Sequence, residues 1–184
     1  MMHIRIWNMC NFQCNIRITE MLLNENMLTE RVLVSVTKVY RKKVSGLVAH
    51  AGLELNFQMG EQLVLHTSPD KNTHVSTVED FSAGEKLVKK TSINATQAIV
   101  DRINSRLSAN FKYSVFNNCE HLASEVLTGK PTSAQLKTSL TVSLVGTALI
   151  ACKSANRNIQ TLSVAALGFG LLGLYLEKKK QLAS

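Results

Sequence analysis

The chain has 184 residues, 45% of them apolar, which suits one domain with a core plus appendages rather than a disordered or fibrous chain. Lys and Arg outnumber Asp and Glu by 21 to 13, a formal charge of +8 that favours an anionic partner. Aromatics are only 5%, and no basic stretch is interleaved with them, so a membrane surface is expected and nucleic acid is not.

Residues 1–26 are rich in Asn and Met and lack a clean period, and they read as a poorly ordered N-terminal extension that precedes Met27. No secretory signal is recognisable, because His3, Arg5, Asn8, Asn11, Asn15 and Arg17 interrupt the apolar residues. Cys10 and Cys14 form a CxxxC with no second pair, so zinc is not expected there, and an intracellular, reducing compartment suits the cysteines.

Residues 27–136 read as a compact domain of strands followed by helices, hence α+β. Arg31–Tyr40 is β-branched and partly alternating, as a strand requires. Leu47–Leu55 and Gln62–His66 predict two more strands, joined by a loop over Asn56–Glu61 with Gly60 for the turn. Thr67–Asp70 breaks the chain, Thr73–Val78 is a short strand, Glu79–Gly84 a turn, and Lys86–Lys90 a further pairing segment. Ala98, Ile99, Ile103 and Leu107 then fall at helical spacing, with Asn94 as the expected N-cap. Phe111–Phe116 is a short apolar link. Asn118 is the N-cap of the next helix, whose apolar stripe is Leu122, Ala123, Val126 and Leu127, and Gly129 followed by Pro131 stops it.

Residues 137–184 form a hydrophobic region. Leu140–Cys152 and Leu162–Leu176 are nearly all apolar, separated by the polar turn Lys153–Asn158 and followed by Glu177 and Lys178–Lys180. Neither run reaches the ~20 apolar residues of a relaxed span. Gly146, Gly168, Gly170 and Gly173 permit close helix contact, so the tail predicts a helical hairpin that enters or crosses a membrane. Core helices packed on the domain are the competing reading.

The candidate chemistry centres on Cys119. It would open a helix, where unpaired amides and the dipole favour a thiolate and can hold an oxyanion. A nucleophilic thiol needs a base, and His50 on one strand and His66 at the end of the next are the candidates: one takes the thiol proton, the other orients the first. His74 reads as a loop histidine, and His3 carries no motif. His121 lies two residues past Cys119, on another side of the helix, and Glu120 suits the first helical turn by charge alone. His50, His66, His121 and Cys119 also weigh as a zinc set. Their only short-spaced pair is i, i+2 on a helix, so no metal and no cofactor is expected.

These residues carry a resemblance. Asn118-Cys119-Glu120-His121 resembles the NCEHF signature of the lecithin retinol acyltransferase-like family. That family includes the HRAS-like suppressor phospholipase/acyltransferases and is related to the NlpC/P60 thiol hydrolases. His50–Leu55 resembles its His-x-Gly-Ile-Tyr strand, and Val64–Pro69 its Val-Ile-His-x-x-Pro segment. Ala98–Arg102 with Arg106 and Leu107 resembles the helix before the cysteine. Thr128–Lys130 with Ser133–Gln135 resembles the segment after it. The likeness spans about residues 36–136 in order. This sequence departs in a longer stretch between His50 and His66, in Leu122 for the signature's aromatic, and in Ala51 after the first histidine.

The resemblance implies a permuted papain-like fold, with an antiparallel sheet and a cysteine-bearing helix. It implies Cys119 as nucleophile, His50 as general base and His66 as orienting third member. The reaction implied is acyl transfer through a thioester, from a phospholipid donor to water, an amine, an alcohol or a lysolipid. Membrane association through 140–176 fits the anchor common in that family. A peptidase or amidase of the NlpC/P60 kind, and a non-catalytic membrane-interaction protein retaining the fold, are the alternatives.

Overall fold

The computed structural model describes residues 3–6, 16–19, 30–43, 46–109, 113–114, 118–153 and 158–183. By internal contacts the chain divides into a sheet-and-helix unit (1–40 and 51–132) and a second unit (41–50 and 133–184). The expected class holds: α+β, an antiparallel sheet, a helix that carries the cysteine, and two apolar C-terminal helices.

Among the described residues the strands are β1 (His3–Ile6), β2 (Ile16–Thr19), β3 (Glu30–Arg41), β4 (His50–Phe57), β5 (Gln62–Ser68), β6 (Asn72–Thr77) and β7 (Val88–Asn94). They pair in the order β1 to β6, and β7 joins β3. The long strand β3 shares itself out, pairing Glu30–Leu33 with β2 and Ser35–Tyr40 with β7. The strands β1 and β2 lie within the stretch that the sequence reads as an extension; the remainder of 1–26 lies outside the described residues.

Apolar packing on both faces of the sheet explains why these strands hold. Leu53, Leu55 and Leu65 turn to one face and bury against Ile99, Val100 and Ile103 of helix α2 (Gln97–Ser108) and Leu122, Ala123 and Val126 of helix α3 (Cys119–Thr128). Alternation along the strands sends Gly52, Val64 and His66 to the opposite face. There Val39 and Val64 pack on Phe81 of the short helix α1 (Val78–Ser82). Gly52 is required at that contact. A Cβ there would lie 2.8 Å from Val64 Cγ1 and 2.9 Å from the Phe81 ring.

Several predicted boundaries move. Asn56 and Phe57 belong to β4, because Asn56 pairs with Gln62, and the turn tightens onto Gln58–Glu61 with Gly60 at φ +83°. The turn predicted over Glu79–Gly84 contains α1, since the Thr77 hydroxyl accepts from the Asp80 amide and starts a helical turn. Asn94 does not cap α2. It pairs with Ser35 as the end of β7, and Thr96 takes the N-cap position instead. His74 is a strand residue of β6, directly opposite His66. The link Phe111–Phe116 lies outside the described residues except for Tyr113 and Ser114, as does the Lys153–Asn158 turn except for its two ends.

In the second unit, helix α4 (Ala134–Lys153) and helix α5 (Ile159–Leu182) run antiparallel as a hairpin. The expected boundary at 136 falls inside α4. The hairpin is also tied to residues 41–50: Gln135 Nε2 donates to the Ala49 carbonyl at 3.2 Å, and Lys178 Nζ to the Gly46 carbonyl at 2.8 Å.

Candidate active site

Helix α3 begins where the sequence predicts. Asn118 adopts extended backbone, and its side-chain oxygen accepts from the amides of Glu120 (2.9 Å) and His121 (3.1 Å). Its carbonyl takes the Leu122 amide at 3.0 Å. This cap secures the start of the helix, and it also commits amides that a bare helix start would offer to an oxyanion. The helix ends on Gly129 in the left-handed region, φ +77°, as a C-terminal glycine should.

Cys119 is buried, 7% exposed, and takes part in no disulfide. Its sulfur accepts the backbone N–H of Ala51 at 3.4 Å. The donor is the residue after His50 on β4. An amide aimed at sulfur favours the thiolate over the thiol, because the charged acceptor makes the stronger hydrogen bond.

His50 opens β4 and is buried, 4% exposed. His66 is buried on β5, and its surroundings are defined by the next strand. Its ring lies 4.1 Å from that of His74 and 5.0 Å, edge-on, from Phe81. Its Nε2 is 3.1 Å from Ser76 Oγ, and that hydroxyl donates to the Thr77 carbonyl. Continuing the Leu53–Leu65 pairing by one residue sets Gly52 opposite His66, so the strand position facing His66 belongs to Gly52 and not to the histidine two residues earlier. His74 Nδ1 donates to the Asn72 carbonyl at 3.1 Å, which fixes that ring beside His66.

The helix start also carries buried polar groups that the sequence understates. Glu120, 1% exposed, accepts from the Tyr40 hydroxyl at 3.3 Å, so the acid next to the thiol is a buried, partnered group and not merely a solvated dipole partner. His121 is buried as well. Burial pushes its pKa below the usual histidine value, with Glu120 opposing and Arg106 reinforcing the shift. His121 is thus held toward its neutral form. Arg106 is itself buried, its pKa lowered by desolvation, and pairs with Glu125 on α3.

Tyr113 is a residue that sequence reasoning misses. Its amide donates at 3.4 Å to Oδ1 of Asn72, whose own φ of +55° lies in the left-handed region at the start of β6. Burial raises the phenol's pKa, and negative charge on Cys119 raises it further, so the hydroxyl keeps its proton. The only sequence signal is its place six residues before the cysteine, in a link that also holds Lys112 and Ser114.

Among the described residues no group of three or more His, Cys, Asp or Glu is placed to hold a metal ion. Comparison with family models, with curated proteins and with solved structures returned no match.

Proposed function

We propose that this chain is a thiol-dependent acyltransferase or phospholipase that works on membrane phospholipid through a thioester on Cys119. The observation that carries the reading is the Ala51 amide on the Cys119 sulfur at the start of a capped helix. Two strands bearing the histidines and the helix bearing the cysteine, in that order along the chain, are what a permuted papain-like fold requires, and the sequence likeness over 36–136 supports the same assignment.

In this reading His50 takes the proton from Sγ. The thiolate attacks the ester carbonyl of an acyl chain, and electrons move onto the carbonyl oxygen. When the tetrahedral centre collapses, the lysolipid alkoxide leaves and takes the proton from the His50 imidazolium. The acyl group remains as a thioester. Water, an amine, an alcohol or another lysolipid then loses its proton to His50, attacks the thioester, and the thiol is restored with that proton. His66 acts as the orienting member, its Nε2 being held by Ser76. The Tyr113 hydroxyl, which keeps its proton, is a suitable donor to the carbonyl oxygen as charge develops there. The apolar hairpin brings this chemistry to lipid.

Incubation with phosphatidylcholine vesicles tests the proposal. Wild type is expected to release fatty acid and to show an acyl mass shift on the peptide containing Cys119, with both lost in Cys119→Ala. Equal behaviour of the two proteins would reject it. Cleavage of cell-wall peptides with lipid untouched would favour the amidase reading. Membrane effects that survive Cys119→Ala but need 137–184 would favour the non-catalytic one.

A further inference from the structure

The hairpin is built inside out for a protein in water. Its inward seam is small and polar. Ser139 Oγ donates to the Gly170 carbonyl at 2.9 Å, and Ser143 Oγ to the Ala166 carbonyl at 2.8 Å. Thr138 Oγ1 donates to Glu177 Oε2 at 3.0 Å, and Gln135 Nε2 to Gln181 Oε1 at 2.5 Å. Gly173 lies so close to the partner helix that a Cβ would be 2.8 Å from Ser139 Cα, and Phe169 fills the place of a side chain at Gly146. The outward faces, by contrast, expose Leu144, Val145, Leu149, Val164, Leu167 and Leu171. Only 11% of the apolar stretch of α4 and 6% of that of α5 is buried. An exposed apolar surface of this extent needs a covering phase, and helices that turn hydroxyls onto one another and leucines outward are the solution that lipid favours.

Length and charge choose how the lipid is met. Twenty and 24 residues give helices of about 30 Å and about 36 Å, against a hydrocarbon core of about 30 Å. No charged residue interrupts Thr138–Cys152 or Asn158–Leu176. Charges sit only beyond the ends of these runs: Lys137, Glu177 and Lys178–Lys180 at the base, Lys153 and Arg157 in the segment that joins the two helices. Lysines at both ends of a short uncharged run reach the two interfaces by extending their side chains. A helix lying on the surface would instead carry its charges along one face, and neither helix has such a face.

We infer that α4 and α5 cross a lipid bilayer twice as a pre-paired hairpin, with the base lysines at one interface and the Cys152–Lys153 tip at the other. The seam keeps Thr138, Ser139 and Ser143 bonded to the partner helix, while Thr141, Gln160, Thr161 and Ser163 are exposed. The greater number of cationic residues at the base places that end on the side bearing more anionic lipid. This inference does not depend on what Cys119 does.

Full-length protein added to preformed phosphatidylcholine–phosphatidylserine vesicles, then treated with external trypsin, tests it. Cleavage is expected at Lys137 and Lys178–Lys180, with Lys153 uncut until detergent is added. An impermeant maleimide should likewise reach Cys152 only after detergent, each site being read by mass spectrometry. Cutting at Lys153 or labelling of Cys152 from outside intact vesicles would overturn the double crossing in favour of a hairpin lying in one interface. Protein remaining in the supernatant would overturn the lipid assignment altogether. Cys119→Ala should give the same pattern as wild type, so failure of the catalytic reading and failure of this one are told apart.

Discussion

The sulfur of Cys119 is defined by a donor sixty-eight residues away, the Ala51 amide, and by the cap next to it, Asn118. Removing the cap in Asn118→Ala leaves the Glu120 and His121 amides without their acceptor. The expected cost is about 1 kcal/mol of stability, read by denaturant unfolding. Gly52→Ala is expected to cost about 1–3 kcal/mol, because the added methyl meets Val64 and Phe81 in a closed core. His121 gives a pH prediction. Its folded pKa lies below the ordinary value of about 6.5, so the unfolded chain binds the proton more readily. Its effect is therefore absent well above that value, and stability is lost as pH falls through about 6.5. Unfolding midpoints at pH 7.5 and 5.5 should differ more in wild type than in His121→Asn; equal differences would remove His121 from the cause. The place of Cys119 at a helix start was legible because a capping Asn followed by a cysteine is a local pattern. The environment of Glu120 was not, because its partner Tyr40 arrives from a distant strand.

At the scale of elements, α2 and α3 are fastened to each other as well as to the sheet. Arg102 Nη1 donates to the Val126 carbonyl at 2.7 Å and the Glu125 carbonyl at 3.3 Å, closing the end of the helix that begins at Cys119. Ile103, fully buried between them, should cost about 2–5 kcal/mol as Ile103→Ala, measured by chemical denaturation. Strand and helix types follow from hydrophobic period, but two ends do not. Asn94 has a strong capping preference, yet the ladder with Ser35 and the Ala95 amide on the Val34 carbonyl claim that stretch for β7, which shifts the cap to Thr96. The helix α1 does have a local signal: Thr77 three residues before Asp80 is a capping pattern. His74 reads as loop because Pro69 and Asp70 break the chain just before it, whereas the β5–β6 ladder resumes directly afterwards.

At the scale of the molecule, the hairpin depends on a close helix approach. Gly173→Leu places a side chain against the backbone of Thr138 and Ser139, so the helices must separate and the Ser139 bond to Gly170 must open. The expected result is faster proteolysis of the hairpin in detergent than in wild type. The sequence by itself determined the α+β class, the start of α3 at Asn118, its stop at Gly129 and the two apolar runs of the tail. Those are short-range matters, fixed by capping within one turn and by periodicity along a single segment. Only the tertiary structure decided that Ala51 supplies the amide on the sulfur, that Glu120 and His121 are enclosed, that His66 is flanked by His74 and Ser76, and that the tail turns Ser139 and Ser143 inward. Each of these depends on strand pairing or helix packing between residues far apart in the chain, and no local pattern encodes which partner such a contact will bring.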